Sequence, residues 1–261
     1  MKNYDLEKFS VERHLVWNVL RDTDTYYLNH HIVHIDFSSL EEIRKNFKSF
    51  RGTKLTYVGL VLYSISRVLQ KHKQFNSYFR TFPIPKIAKY KGIDLSFTME
   101  KENIDGEKKL LLSILKNADN MDFKTFINEF EDFKSKKLEE LPYVKNMKFF
   151  KLIPNFLRMT LFRLFCKPFP GIMREISGTC AFTSVGKYGV DFTTPLSPKS
   201  ITFSLGKVDT RPMVIKNDLK AVKTAYITLT YDHRIADGRE CASLASDLKY
   251  FLENELKDHI K

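Results

Sequence analysis

Tyr231-Asp232-His233-Arg234-Ile235-Ala236-Asp237-Gly238 lies between two segments of opposite periodicity, and that placement decides how the chain is read. Upstream, residues 222–231 alternate so that Ala225, Ile227, Leu229 and Tyr231 share one face of a strand. Downstream, Cys241, Leu244, Ala245, Leu248, Leu252 and Leu256 recur at helical spacing. A histidine at a strand terminus, close to a loop, can be partly exposed and titrate near neutrality, which suits a base that takes a proton from a thiol or hydroxyl. Asp237 with Glu240 also spells a helix-capping box and Gly238 relieves a tight turn, so the stretch taken alone has a purely architectural explanation.

Two further strand-like runs precede it, Gly178-Thr179-Cys180-Ala181-Phe182-Thr183-Ser184-Val185-Gly186 and SITFSLGKV at 200–208. Residues 91–116 predict a hairpin, with GIDLSFTMEK and LLLSILK on either side of a turn at Asp105-Gly106. Nearer the N-terminus, a helix over 11–21 is followed by the alternating HIVHIDF of 31–37, and Ser38 or Ser39 can cap a helix that starts at Leu40. Leu55, Val58, Leu62, Ile65, Val68 and Leu69 make 54–71 a core-facing helix, and another is predicted over about 122–140.

The 261 residues are 43% hydrophobic and 13% aromatic, enough to bury a full core, and no repeat or Ser/Gly linker divides them, so a single domain over 1–261 is expected. Cys166, Cys180 and Cys241 form no CxxC pair and no second His/Cys cluster accompanies them. Neither a disulfide framework nor a metal site is expected, and a reducing, cytoplasmic interior fits best. The opening MKNYDLEKFS has no apolar signal core and the chain has no long apolar run, so neither secretion nor a transmembrane segment is expected. The net charge of +12 suits a nucleic acid, a membrane surface or an anionic substrate such as a nucleotide-tailed thioester. No recognisable nucleic-acid module occurs, so no nucleic-acid partner is expected.

DHRIADG, preceded by TLTY and followed by a helix ending FLEN, resembles the active-site signature of the dihydrolipoyl acyltransferase catalytic domain of 2-oxo acid dehydrogenase complexes. It is also similar to the HHxxxDG signature of chloramphenicol acetyltransferase, the other main branch of that superfamily. The block GTCAFTSVG, with KYGVDFTTPLSPKSITFSLGKV after it, resembles a second family segment, GTFTISNxG and the Pro-containing strand that follows. The order of helix, HIVHIDFSSL and LTYVGLVLYSISRVLQKHKQF matches the superfamily's early βα layout, so the resemblance covers nearly the whole chain.

The resemblance implies an α/β, chloramphenicol acetyltransferase-like two-layer sandwich, a mixed sheet with helices packed on one face. It implies direct acyl transfer to or from coenzyme A without an acyl-enzyme, and a homotrimer or multiple of trimers whose active site lies between subunits. Residue by residue, His233 matches the general base and Asp237 the structural carboxylate, which Arg13 resembles the partner of by its place in the first helix. Thr183 falls where the family places a hydroxyl that donates to the oxyanion, with Ser184 as the neighbour left open. The chain begins almost directly at the catalytic domain, so no covalently bound lipoyl group is expected, and the acceptor is a small molecule or a lipoyl thiol. The bare layout leaves a chloramphenicol acetyltransferase-like O-acetyltransferase as the alternative. A catalytically inactive basic binding protein on the same fold is the alternative of another class.

The resemblance is weakest over 141–174, a basic, aromatic-rich insertion or lid with seven cations and no acid: Lys145, Lys148, Lys151, Arg158, Arg163, Lys167 and Arg174. Apolar residues nearly encircle a helix over 155–167, which predicts burial with Arg158 and Arg163 snorkelling to solvent. The stretch runs straight into the 178–186 block, so the preferred functional reading is a cover for an acyl-CoA channel, with Lys145, Lys148 and Lys151 meeting the nucleotide phosphates. Peripheral contact with an anionic membrane is the alternative, and it requires an exposed apolar face.

Overall fold

In the computed structural model, which describes residues 5, 11–23, 25–47, 55–81, 83–102, 108–136 and 153–260, the alternating run before the signature belongs to a longer strand, β9 (Asp218–Asp232). Its residues Ala225, Ile227, Leu229 and Tyr231 are fully buried, as the period of two requires. β9 pairs antiparallel with β1 (Leu28–Asp36) on one side and with β7 (Ile201–Leu205) on the other. Beyond β7 come β6 (Cys180–Ser184), parallel to it, and β4 (Leu95–Glu102), parallel to β6. β5 (Lys108–Leu115) closes that side as the hairpin partner of β4, giving the order β1-β9-β7-β6-β4-β5. The turn expected at Asp105-Gly106 lies outside the described residues.

The two faces of this mixed sheet differ in chemistry. One register row places Phe97, Phe182, Phe203 and Leu229 side by side, all in the hydrophobic core. The next row places Thr183, Ser204 and Thr228 together on the opposite face. The apolar face is covered by helices. α2 (Ser38–Asn46), α3 (Tyr57–Val68), α4 (Phe123–Ser135) and the final α7 (Gly238–Tyr250) contribute Leu40, Leu62, Phe126 and Leu248 to the same core. α1 (Val11–Thr23) precedes β1. The sandwich with helices on one face is therefore the observed architecture.

Local signals explain most helix starts. Thr56 caps α3 by accepting from the Gly59 N–H, and Asp122 caps α4 by accepting from the Thr125 N–H. α2 departs from expectation. It begins at Ser38 with Phe37 at the N-cap position, where no side chain caps it, and Asp36 Oδ1, one residue before, accepts from the Ser38 N–H at 2.8 Å; neither Ser38 nor Ser39 is the cap. Two paired regions lack a sequence expectation: the small β2–β3 hairpin (Ser77–Arg80 with Lys86–Lys89) and β8 (Asp209–Ile215), which pairs with the first half of β9.

The described part of the basic stretch contains α5 (Asn155–Phe165) and α6 (Pro170–Ser177). The expected burial of α5 is corrected here. Arg158 is inside, 8% exposed, with its Nε donating to the Ile153 carbonyl at 2.7 Å, while Leu164 and Phe165 are 60% and 62% exposed. Arg163 is exposed as expected, so only one of the two arginines snorkels outward. Arg174 is spent on architecture, since its guanidinium donates to both oxygens of the buried Asp94 at 2.7 and 2.9 Å. The chain then enters β6 through Gly178, at φ +70°, where an added Cβ would lie 2.8 Å from the Asp94 carbonyl oxygen.

Candidate active site

β9 ends in a braced turn. Asp232, fully buried, receives the Arg234 side chain through Nε at 2.9 Å and Nη2 at 2.6 Å, and the Arg234 guanidinium sits 4.5 Å from the centres of both the Tyr26 and Phe79 rings. The Asp232 N–H donates to Ser200, and the His233 N–H donates to the Tyr27 carbonyl at 2.8 Å. His233 is thus held at its backbone between two rigid neighbours while its side chain stays 45% exposed. Its Nδ1 lies 3.7 Å from Asp237 Oδ1, within ion-pair range. A carboxylate on that side favours the proton on Nδ1 and leaves Nε2 as the basic nitrogen.

Asp237 itself is 83% exposed and opens α7, and its N–H donates to Glu240 Oε2 at 2.9 Å, one arm of the capping box. Arg13 is exposed on α1, and among the described residues the ion-pair partner of Asp237 is His233.

Thr183 and Ser184 end β6 with different engagements. The Ser184 hydroxyl donates to the Leu205 carbonyl at 3.1 Å, whereas Thr183 Oγ1 lies 3.0 Å from Thr98 Oγ1 on β4. Of the two hydroxyl protons in the Thr183–Thr98 pair, one forms that bond and the other is free to meet an incoming oxygen. Thr98 has no counterpart among the expected site residues. It is 85 positions away, and only the parallel register of β4 with β6 brings it alongside.

The sheet separates the two halves of the site. Thr183 pairs with Ser204 and Ser204 with Thr228, so His233 lies two strands across and five residues further along an antiparallel neighbour. At ~3.3 Å per residue and ~4.8 Å per strand, that is roughly 19 Å between backbones, too far for one substrate atom to touch both. Lys145, Lys148 and Lys151, expected at the nucleotide phosphates, lie outside the described residues. A recess of about 310 Å³ is lined by Thr25, Thr81, Arg163, Lys167 and Pro168. Lys167 there pairs with the buried Asp22, and Arg163 has no ion-pair partner among the described residues.

The Asp232–Arg234 brace carries a stability prediction. Asp232→Ala leaves a guanidinium clamped between two rings without its counter-charge, which costs about 3–5 kcal/mol. Thermal unfolding followed by circular dichroism is expected to show a midpoint roughly 10 °C lower. A variant that melts with the parent would show that the brace is ornamental.

The family model for the 2-oxoacid dehydrogenases acyltransferase (catalytic domain) matches residues 5–148 and 173–258. The dihydrolipoyllysine-residue succinyltransferase component of the 2-oxoglutarate dehydrogenase complex from Buchnera aphidicola subsp. Schizaphis graminum is 22% identical over 223 residues, 84% of this chain and 48% of that protein. The dihydrolipoyllysine-residue acetyltransferase component of the pyruvate dehydrogenase complex from Acholeplasma laidlawii is 23% identical over 212 residues, 80% of this chain and 33% of that protein. The chain therefore spans at most about half the length of these curated relatives. Among solved structures, a probable dihydrolipoamide acetyltransferase from Listeria monocytogenes superposes with a TM-score of 0.71 at 17% identity, covering 96% of this chain and 95% of that one. A chloramphenicol acetyltransferase superposes at 0.52 with 14% identity, covering 96% and 99%, which shows the shared fold. With its braced DHR turn, its hydroxyl-bearing β6 and a match over both flanks of the site, the chain belongs to the 2-oxoacid dehydrogenase acyltransferase catalytic-domain family.

Proposed function

We propose that the protein transfers an acyl group between coenzyme A and an acceptor thiol, the acceptor being a dihydrolipoyl group as in the names of its relatives. The observation that carries this is the pairing of His233 Nδ1 with Asp237, which leaves Nε2 to take a proton, on a chain of this family. The attacking thiol gives its proton to Nε2 as sulfur bonds to the thioester carbon, and the carbonyl oxygen becomes an oxyanion that the Thr183 hydroxyl meets. Collapse breaks the carbon–sulfur bond to the leaving thiolate, which recovers the proton from His233. Lys145, Lys148 and Lys151 serve the nucleotide phosphates in this proposal, and the Arg163 recess suits the same anionic tail. Charge reversal of the three lysines to Glu is expected to raise KM for acyl-CoA severalfold, less so in high salt, and an unchanged KM would remove them from the site.

The ~19 Å spacing within one chain supports a site completed by a second copy, His233 of one subunit facing Thr183 of its neighbour, in a homotrimer or multiple of trimers. Light scattering at micromolar concentration is expected to give three chains or a multiple, and a fully active monomer would refute the shared site. Three unpaired cysteines, two of them buried, support a reducing, cytoplasmic setting. The deciding experiment incubates the protein with a panel of acyl-CoAs and free dihydrolipoamide, chloramphenicol or simple amines while thiol release is followed. Transfer to dihydrolipoamide supports the proposal. Transfer to chloramphenicol alone would reassign the acceptor, and none at all would favour the binding-protein reading.

A further inference from the structure

Asp22, at the end of α1, is 2% exposed, and a carboxylate so placed needs a counter-charge. Among the described residues that charge is Lys167, whose Nζ donates to Asp22 Oδ1, while Asp22 Oδ2 has no donor. The phenols of Tyr26 and Tyr78 border the same carboxylate. Burial above all, then Tyr78 and Asp22 around Tyr26 and Asp22 around Tyr78, pushes both well above the ordinary phenol range, so both stay neutral. The Tyr78 hydroxyl donates to the Lys167 carbonyl at 3.1 Å and the Tyr90 hydroxyl to the Pro170 carbonyl at 2.9 Å, so the junction of α5 and α6 is fastened at three points. Lys167 falls within 149–172, the interval between the two parts matched by the family model.

From Asp22 the backbone leads directly to the catalytic turn. The Asp22 carbonyl accepts from the Thr25 hydroxyl at 3.0 Å and from the Thr25 N–H at 3.4 Å, which sets the course of the chain out of α1. Tyr26, next in line, presents its ring to the Arg234 guanidinium, and Tyr27 supplies the carbonyl that holds the His233 N–H at 2.8 Å. Displacing Asp22 therefore displaces two supports of the turn that carries His233. A buried ion pair is a poor device for stability alone, since apolar residues of similar volume serve a core at least as well. What it adds is a fixed orientation, and what it orients here is the carbonyl and the ring against which the base is held.

We propose that Lys167 and Asp22 are positioning residues for His233, holding the turn out of α1 where Tyr26 and Tyr27 fix the base. This rests on the reading of His233 as the base in acyl transfer. The test uses the full chain, assayed with acyl-CoA and dihydrolipoamide, and labelled in its seven histidines so that the His233 ring signal, identified by its loss in His233→Ala, is followed by NMR. Asp22→Asn is expected to lower the catalytic constant about tenfold, to leave KM for acyl-CoA within about twofold, and to move the His233 signal. Lys167→Arg keeps the charge and is expected to stay within about threefold of the parent. In a His233→Ala background Asp22→Asn is expected to lower the residual rate no further, which a merely structural loss would not reproduce. Should Asp22→Asn fail to fold, Asp22→Asn with Lys167→Met, which leaves no charge buried alone, takes its place in each comparison. An unmoved His233 signal, or an undiminished catalytic constant in an active protein, overturns the proposal. So does an equal rate loss with and without the His233 imidazole, or a change confined to KM, which would place Lys167 at the nucleotide phosphates instead. A parent inactive towards every acyl-CoA whose His233 signal still moves in Asp22→Asn would overturn the acyl-transfer reading and leave the positioning in place.

Discussion

His233→Ala is expected to lower the catalytic constant by about 10²- to 10⁴-fold while leaving the melting temperature within a degree or two of the parent. The separation of the two readouts follows from the geometry. What fixes this turn is the His233 N–H on the Tyr27 carbonyl and the neighbouring Asp232–Arg234 brace, both of which survive loss of the imidazole. The ring itself is nearly half exposed and buries little, so its removal takes away a proton acceptor and scarcely any packing. Asp237→Asn provides the graded companion. Asparagine caps a helix about as well as aspartate, and Asp237 is mostly in water within the chain, so stability is expected to change by no more than about 1 kcal/mol. The rate is nonetheless expected to fall, because a neutral amide holds the Nδ1 proton less firmly than a carboxylate. Steady-state thiol release and thermal melts on the same preparations test both. Undiminished turnover in His233→Ala would end its role as the base.

The sequence alone carried the spine of the fold and the His233–Asp237 pair of the candidate site. Strict alternation marked the buried face of β9, and the stripe from Cys241 to Leu256 marked the last helix, because each buries one side only. β8 and β3 escaped because their residues are mostly half or fully exposed, and β8 carries Pro212, so neither presents an apolar pattern to read. On α5 the apolar residues run nearly all round, and a periodicity spread over every face cannot say which side turns inward. Only the structure placed Arg158 in and Phe165 out. In the site, His233 and Asp237 announce each other at i, i+4, whereas Asp232 and Arg234 read as ordinary surface charges until Tyr26 and Phe79 enclose them. Those rings come from α1–β1 and β2, distant in sequence, as Thr98 is from Thr183.

Thr183→Val is expected to reduce the catalytic constant by about 10²- to 10³-fold, with acyl-CoA affinity little changed. Valine keeps the β-branched shape that suits this half-buried strand position and removes only the hydroxyl, so the sheet is preserved. The hydroxyl matters because it sits on the Ser/Thr face of the sheet, paired with Thr98, in a place already ordered before any charge develops. A donor held in position strengthens its bond as the carbonyl oxygen becomes an oxyanion and contributes little to the ground state, which is why the loss falls on turnover and spares affinity. Ser184 is the natural control. Its hydroxyl is committed to the Leu205 carbonyl one strand over, so Ser184→Ala is expected to cost about 1 kcal/mol of stability and less than tenfold in rate. Thr98→Val separates positioning from contact: if Thr98 orients the Thr183 hydroxyl, its removal lowers the catalytic constant by about tenfold and leaves acyl-CoA affinity alone. Side-by-side kinetics on the three variants decide the assignment. Should Ser184→Ala be the most damaging of them, the oxyanion donor is Ser184, and the Leu205 bond must break during turnover to release it.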